Sequence, residues 1–189
     1  MEKMDFALLG FFQKISDWFQ EWFGRDNFFL ARACVLLYIL GYGIYIGSII
    51  LLLGMNSWLF MYILCCFFVS FIFSKGIDSL ERICRENPKF KNPGVIGLRT
   101  NRILSMFWII FAISSLLDIL RLVFNQEYVS EVGNKSHLIL LHSGECLEQL
   151  MFFVIPFFAC CTPKPRKPSK VKKLVEKASE LLAPQMQPA

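Results

Sequence analysis

Four long apolar stretches divide the chain, and their polar interruptions set its organisation. Ala33 to Leu53 carries no charge, and after Gly54-Met55-Asn56-Ser57 a second charge-free run goes from Trp58 to Ser74. A third runs from Ile103 to Phe124 and is interrupted by Asp118 and Arg121. The fourth, Leu138 to Cys161, contains His142, Glu145 and Glu148. A helix crossing the ~30 Å hydrocarbon core needs about 20 predominantly apolar residues. The pattern therefore predicts an all-α integral membrane protein with four transmembrane helices, at about 33–53, 58–74, 103–124 and 138–161, arranged as two hairpins.

The polar ends have a different period. Between Asp5 and Phe23 the apolar residues Phe6, Leu8, Leu9, Phe11, Phe12, Ile15, Trp18, Phe19, Trp22 and Phe23 recur at helical spacing, with Gln13, Lys14, Ser16, Asp17, Gln20 and Glu21 between them. This predicts an amphipathic interfacial helix whose membrane-insertion face is Phe11, Phe12, Ile15, Trp18, Phe19, Trp22 and Phe23. The competing expectation is that this helix packs across the cytosolic end of the bundle. In the 75–102 loop, Ile77, Leu80 and Ile83 predict a short helix broken by Asn87-Pro88 and Asn92-Pro93-Gly94. After Pro163, Pro165 and Pro168, apolar positions from Val171 to Leu182 predict another before Pro184. The segments are thus 1–27 at the cytosolic face, a membrane domain at 28–161, and a basic cytosolic tail at 162–189.

Composition supports the membrane class. Of the 189 residues 55% are hydrophobic and 19% charged, against about 45–50% and about 25% in soluble domains. Collagen-like, disordered and disulfide-scaffold classes are excluded, as is a large soluble enzyme. Charge then gives orientation. Eighteen of the twenty Lys and Arg residues lie before the first span, in the 75–102 loop or in the tail; Lys135 lies in the 125–137 connection and Arg121 in a span. Cations gather on the cytoplasmic side, so both termini are expected in the cytosol. The net charge of +5 reflects this sidedness, and no nucleic-acid partner is expected.

Glu2 and Asp5 stand where a cleavable signal would carry a basic segment, so the first span is expected to direct insertion. The seven cysteines form no metal spacing. Cys160-Cys161, beside the basic tail, offers a palmitoylation site, with small apolar side chains in lipid as the alternative. Asn134-Lys135-Ser136 spells a glycosylation sequon but falls almost at the membrane surface.

Two features inside the bilayer carry candidate chemistry. Gly43 and Gly47 form a small-xxx-small pair that admits another helix closely. The second feature is a polar cluster: Asp118 and Arg121 with Ser114 and Ser115, facing His142, Glu145, Gln149 and Glu148 across antiparallel spans. Intramembrane charge is costly and marks function by default. One reading is an ion or proton path, with Asp118 and Glu145 as carriers and His142 as a relay. The other is structural: Arg121 neutralises Asp118 or Glu145 and locks the hairpin. The spacing of His142, Glu145 and Glu148 resembles a metal-ligand helix only loosely. No catalytic residue, metal or cofactor is expected, and the chain is not expected to be an enzyme.

The run Phe23-Gly24-Arg25-Asp26-Asn27-Phe28-Phe29-Leu30-Ala31-Arg32, after an N-terminal helix, resembles the glycine-arginine-aspartate segment of the peroxisomal biogenesis factor 11 family. Phe107 through Leu122 is similar to that family's later membrane segment, and Asn92-Pro93-Gly94-Val95-Ile96-Gly97-Leu98 to one of its loops. The order differs: here a span follows Asp26, and the Asn-Pro-Gly loop precedes the third span. The resemblance implies an organelle membrane protein that elongates or divides peroxisomal membranes by inserting amphipathic helices while self-associating. Its partners are then the lipid bilayer and a second copy or another membrane protein. The alternative is a small transporter, channel or scaffold subunit built around Asp118, Arg121, His142 and Glu145.

The charge asymmetry is tested by thiol labelling. Cysteines placed at Asn56 and Gly133 are expected to react with an impermeant reagent from outside. Native Cys84 and a cysteine placed at Ser169 are expected to react only once the cytosolic side is opened. Labelling of Ser169→Cys and Gly133→Cys from the same side removes the fourth span.

Overall fold

The computed structural model describes residues 2–54, 57–86, 94–124, 135–163 and 170–171. Among the described residues five long helices are present: α1 (Glu2–Phe23), α2 (Asn27–Leu53), α3 (Ser57–Glu86), α4 (Gly94–Phe124) and α5 (Lys135–Cys160). Four stretches among the described residues are long and apolar enough to cross a membrane: Asn27–Leu53, Trp58–Glu86, Phe107–Phe124 and Lys135–Cys160. The class expected from the apolar runs is therefore present: an all-helical chain with four candidate spans. Asn87-Pro88, Asn92-Pro93, the sequon asparagine Asn134 and all but the first residue of the expected tail helix lie outside the described residues.

The helices outrun the apolar runs. The separate helix expected over Ile77, Leu80 and Ile83 is the continuation of the second span, because α3 runs unbroken from Ser57 to Glu86. No proline interrupts it, and passage from lipid to water does not by itself end a hydrogen-bonded helix. At about 1.5 Å per residue, its 30 residues reach about 45 Å, well beyond the ~30 Å core. Its polar third therefore projects as a helical arm. There Arg32 of α2 donates to Asp78 at 2.7 Å and to Glu81 at 2.5 Å, while Arg85 pairs with Glu81 and lies 3.7 Å from Asp26. Exposed ion pairs are individually weak; this one is a network tying the start of α2 to the end of α3.

Helix α5 is central. It packs along α2 and α4 and touches α1 and α3. Its Phe152 ring sits 4.6 Å from Trp108 of α4, 5.1 Å from Phe73 of α3 and 6.2 Å from Tyr38 of α2. One ring thus joins four helices at one level. Farther along α2, the Tyr42 hydroxyl donates to the Tyr62 carbonyl of α3 at 2.6 Å. The outside is apolar: Leu36, Phe67, Phe68 and Phe124 are among many large exposed side chains, which suits lipid rather than water.

In lipid, helices gain little from hiding apolar surface from each other, so close packing and small residues hold them. The closest approach is between α2 and α5. A methyl added at Gly41 would stand 2.8 Å from the Glu148 nitrogen and 3.0 Å from the Gly144 carbonyl oxygen. A methyl at Gly144 would stand 2.5 Å from the Tyr45 nitrogen and 2.8 Å from the Gly41 oxygen. The expected pair, Gly43 and Gly47, has nothing within 4 Å. Gly43 lies two residues from Gly41, and thus about 200° round the helix, so the face meeting α5 turns it away.

Gly144→Ala is expected to destabilise the protein by about 1–3 kcal/mol, the usual cost of overpacking, because the obstructing atoms are backbone. Gly43→Ala is expected to be neutral or slightly stabilising, since alanine favours a helix. Thermal unfolding in detergent measures both. Equal melting temperatures for the two variants would show that the close crossing is absent.

Candidate functional site

The end of the bundle where α2 begins and α5 finishes is built by a short turn. Gly24 has φ 70°, the left-handed region that glycine enters without a Cβ penalty, and its N–H bonds the Gln20 carbonyl at 2.9 Å. This ends α1. Asp26 then caps α2 by accepting from the Phe29 N–H at 3.1 Å, and Arg25 lies over the Phe29 ring. The Gly24-Arg25-Asp26 segment is thus a helix stop, a ring cover and a helix start in consecutive residues.

The next residue, Asn27, is fully buried. Its side-chain amide donates to the carbonyls of Phe158 at 3.0 Å and Cys161 at 2.8 Å. The last carbonyls of a helix lack partners within it, and here a side chain 131 residues upstream supplies them. Gln13 of α1 does the same for Thr162, donating to its carbonyl at 3.0 Å and accepting from its N–H at 2.8 Å. Phe12 stacks on Phe157 at 5.0 Å and meets Phe158 edge-on at 5.1 Å. Cys160 and Cys161 are both buried beneath this junction.

Consequently α1 has three faces. Phe12, Ser16 and Gln20 form the buried edge against the bundle. Phe11, Trp18, Trp22 and Phe23 are open, with Ile15 partly buried against the core and Phe19 stacked on Phe29 at 6.1 Å. Lys14 and Glu21 are exposed on the remaining face. The single insertion face expected from periodicity is therefore divided: Phe12 belongs to the bundle. The polar face is divided too, because Ser16 and Gln20 are buried beside Phe12 while Lys14 and Glu21 stay exposed. The tail returns here, with Lys170 2.7 Å from Glu21 and 5.3 Å above the Trp22 ring.

The intramembrane polar residues form three separate groups rather than one cluster. On α5, His142 Nδ1 is 3.2 Å from Glu145, and Gln149 donates to Glu145 at 3.3 Å. Ser115 of α4 reaches Gln149 at 3.5 Å. This ladder runs from half-buried His142 and Glu145 to buried Gln149 and Ser115, and it joins α4 to α5. Glu148 faces elsewhere, within electrostatic reach of Tyr38 and Tyr42 on α2 and Cys66 on α3. Asp118 and Arg121 stand apart, 3.3 Å from each other one turn along α4. Among the described residues Arg121 makes no ion pair with Glu145, so the expected lock across the hairpin is replaced by the Ser115–Gln149 contact. The reason is rotational: Ser115 points at α5, and Asp118 and Arg121 lie about a quarter-turn away. Among the described residues no group of three or more His, Cys, Asp or Glu is placed to hold a metal ion.

No protein-family model, curated protein or solved structure matches the chain. Its function is therefore argued from its own geometry. The packing roles of Asn27, Gln13, Gly41 and Gly144 were not readable from pattern, because they depend on partners about 100 residues or more away. The one available signal was Asn27 directly after a helix-capping aspartate, where a polar residue opens an otherwise apolar span.

Asn27→Ala is expected to lower stability by roughly 1–3 kcal/mol, the worth of the two buried hydrogen bonds it removes. Arg121→Ala is expected to lower it much less, since its guanidinium joins no other helix among the described residues. Unfolding followed by tryptophan fluorescence separates the two. A larger loss from Arg121→Ala would restore the expected hairpin lock.

Proposed function

We propose that the chain is a membrane-shaping protein of an organelle, of the peroxisomal proliferation and fission type, acting through an amphipathic helix fixed to a membrane-embedded bundle. In this reading the four spans form two hairpins with both termini and the basic tail in the cytosol, and copies of the chain self-associate. The observation that carries it is the three-faced α1 helix. Its Phe12–Gln13 edge is bonded to the end of α5, which fixes its position. Its Phe11, Trp18 and Trp22 side is left open, at the end where two spans meet the membrane surface. A free amphipathic helix exchanges with solution; a docked one is held in the headgroup layer of one leaflet and adds area there. Each buried aromatic contributes of order 1.5–3 kcal/mol of transfer free energy, enough for three to hold the helix against the interface. The resemblance of Gly24-Arg25-Asp26 and the α4 segment to the peroxisomal biogenesis factor 11 family supports the organelle assignment.

The ladder of His142, Glu145, Gln149 and Ser115 supports a second reading, a small transporter or channel subunit. It is a continuous hydrogen-bonded chain in which His142 and Glu145 are the groups able to carry a proton. It ends at buried Ser115, so it supplies one half of a path.

The full-length protein is to be reconstituted in phosphatidylcholine vesicles and imaged by electron microscopy. The native chain is expected to draw the vesicles into tubules. The triple change Phe11→Ser, Trp18→Ser, Trp22→Ser is expected to abolish tubules while the protein still resists carbonate extraction. Phe12→Ser is expected to weaken tubulation and also to lower thermal stability, because it undocks α1. Tubules formed equally by the triple variant would end the membrane-shaping reading. Proton flux lost in Glu145→Gln vesicles would favour the second.

A further inference from the structure

One face of α4 carries charge at membrane depth without cover. The helix meets α5 through Ala112, Ser115 and Leu122, all buried, with Trp108 on Phe152. About a quarter-turn away, Phe107, Phe111, Ser114, Asp118 and Arg121 follow one another at steps of four, three, four and three residues. That is the 3.5-residue repeat of a helix–helix seam. Every position on it is open to some degree: Phe107 and Phe111 are more than half exposed, and the Asp118 and Arg121 side chains are 36% and 73% exposed.

Ionisable side chains within a span almost always face protein or a water-filled cavity. Here the carboxylate and guanidinium point away from the bundle. Arg121 spends one N–H on Asp118 at 3.3 Å, out of the five that a guanidinium offers. We propose that this α4 seam is the interface with a second copy of the chain, packed in parallel about a two-fold axis along the membrane normal.

The charge pattern selects that occupant. Copies inserted by the same rule share one orientation, so α4 meets α4 in parallel and like residues come to the same depth. Asp118 of each copy then lies one turn from Arg121 of the other, and two carboxylates and two guanidinia close a neutral, self-complementary group. An isologous interface requires this property of a patch that pairs with itself. Phe107 and Phe111 continue the seam apolarly toward the other end of the span. Ser114, between Phe111 and Asp118, is small enough for close approach.

The proposal names the surface for the self-association included in the proposed function. Its test reads association rather than membrane shape, so either can fail alone. The full-length chain carrying Ser114→Cys, in dilute phosphatidylcholine vesicles, is to be oxidised with iodine and run without reductant, beside the unsubstituted chain and Leu120→Cys. A dimer band specific to Ser114→Cys is expected; no such band, or an equal one from Leu120→Cys, overturns the interface. In the Ser114→Cys background, Arg121→Asp and Asp118→Arg are each expected to lose the band, since each fills the seam with charges of one sign. Mixed in one membrane under different tags, the two variants are expected to cross-link with each other. A mixed band no stronger than either variant alone overturns the charge-paired seam. If either charge variant fails to insert, the Ser114→Cys and Leu120→Cys comparison decides the proposal.

Discussion

The contact at Gly41 and Gly144 sets the spacing of the whole bundle. Backbone atoms of α2 and α5 meet there with no room for a methyl on either side, and the other helices take positions relative to that pair. With α5 drawn against α2, Phe152 reaches Tyr38, and Phe73 and Trp108 close on the same ring from α3 and α4. Toward the helix ends the same proximity lets Asn27 bond the last carbonyls of α5. A wider crossing would break both bonds and leave the buried Asn27 amide without acceptors in an apolar setting, which costs more than a hydrogen bond ordinarily contributes. Small residues in the middle and a polar side chain at the end thus depend on each other, although nothing in the local sequence connects them.

The docking of α1 follows from that junction. A helix end needs donors, and α1 brings Gln13 for Thr162 and the Phe12 ring for Phe157 and Phe158. Once one edge is committed in this way, the remaining aromatic residues cannot also be buried by the bundle, because they lie on the adjacent side. Their exposure is therefore a consequence of docking rather than an alternative to it. The two expectations for this helix, insertion and packing, are therefore compatible: packing takes the Phe12 edge, and the open aromatic side is left for the proposed insertion. The Lys170 contact with Glu21 and Trp22 places the beginning of the basic tail on the outer rim of the same helix.

The spans were readable from the chain because each is a long apolar run, and a bilayer permits few other structures for such a run. The helix limits were less readable. Lys75 marks the end of the apolar run, but α3 continues to Glu86 since only polarity changes there, not backbone preference. Periodicity identified α1 but merged two faces, because it sorts residues by polarity, whereas the bundle buries Ser16 and Gln20 on the same edge as Phe12. Gly43 and Gly47 fit a familiar spacing, yet the residue that packs is Gly41, which acquires a partner only when Gly144 arrives from the far end of the chain. Likewise the sequence pattern groups Ser114, Ser115, Asp118 and Arg121 as one set. That grouping is too broad to tell that Ser115 is buried and the charged pair is not.

That division of the polar residues has a physical logic. Polar groups sheltered between helices can be satisfied by neutral partners, and the chain uses neutral ones at its deepest points: Ser115 to Gln149, Tyr42 to a backbone carbonyl, Asn27 to two carbonyls. The charged groups among the described residues have other settings. Arg32, Asp78, Glu81 and Arg85 sit at the polar end, where water and one another suffice. Glu145 has His142 and Gln149 as neighbours at the half-buried end of the ladder, and Glu148 lies within electrostatic reach of Tyr38 and Tyr42. Asp118 and Arg121 pair with each other on the outward side of α4. A lipid-facing ion pair lasts only if something polar covers it, and in the proposed seam a parallel copy of α4 would supply the matching charges at the matching depth.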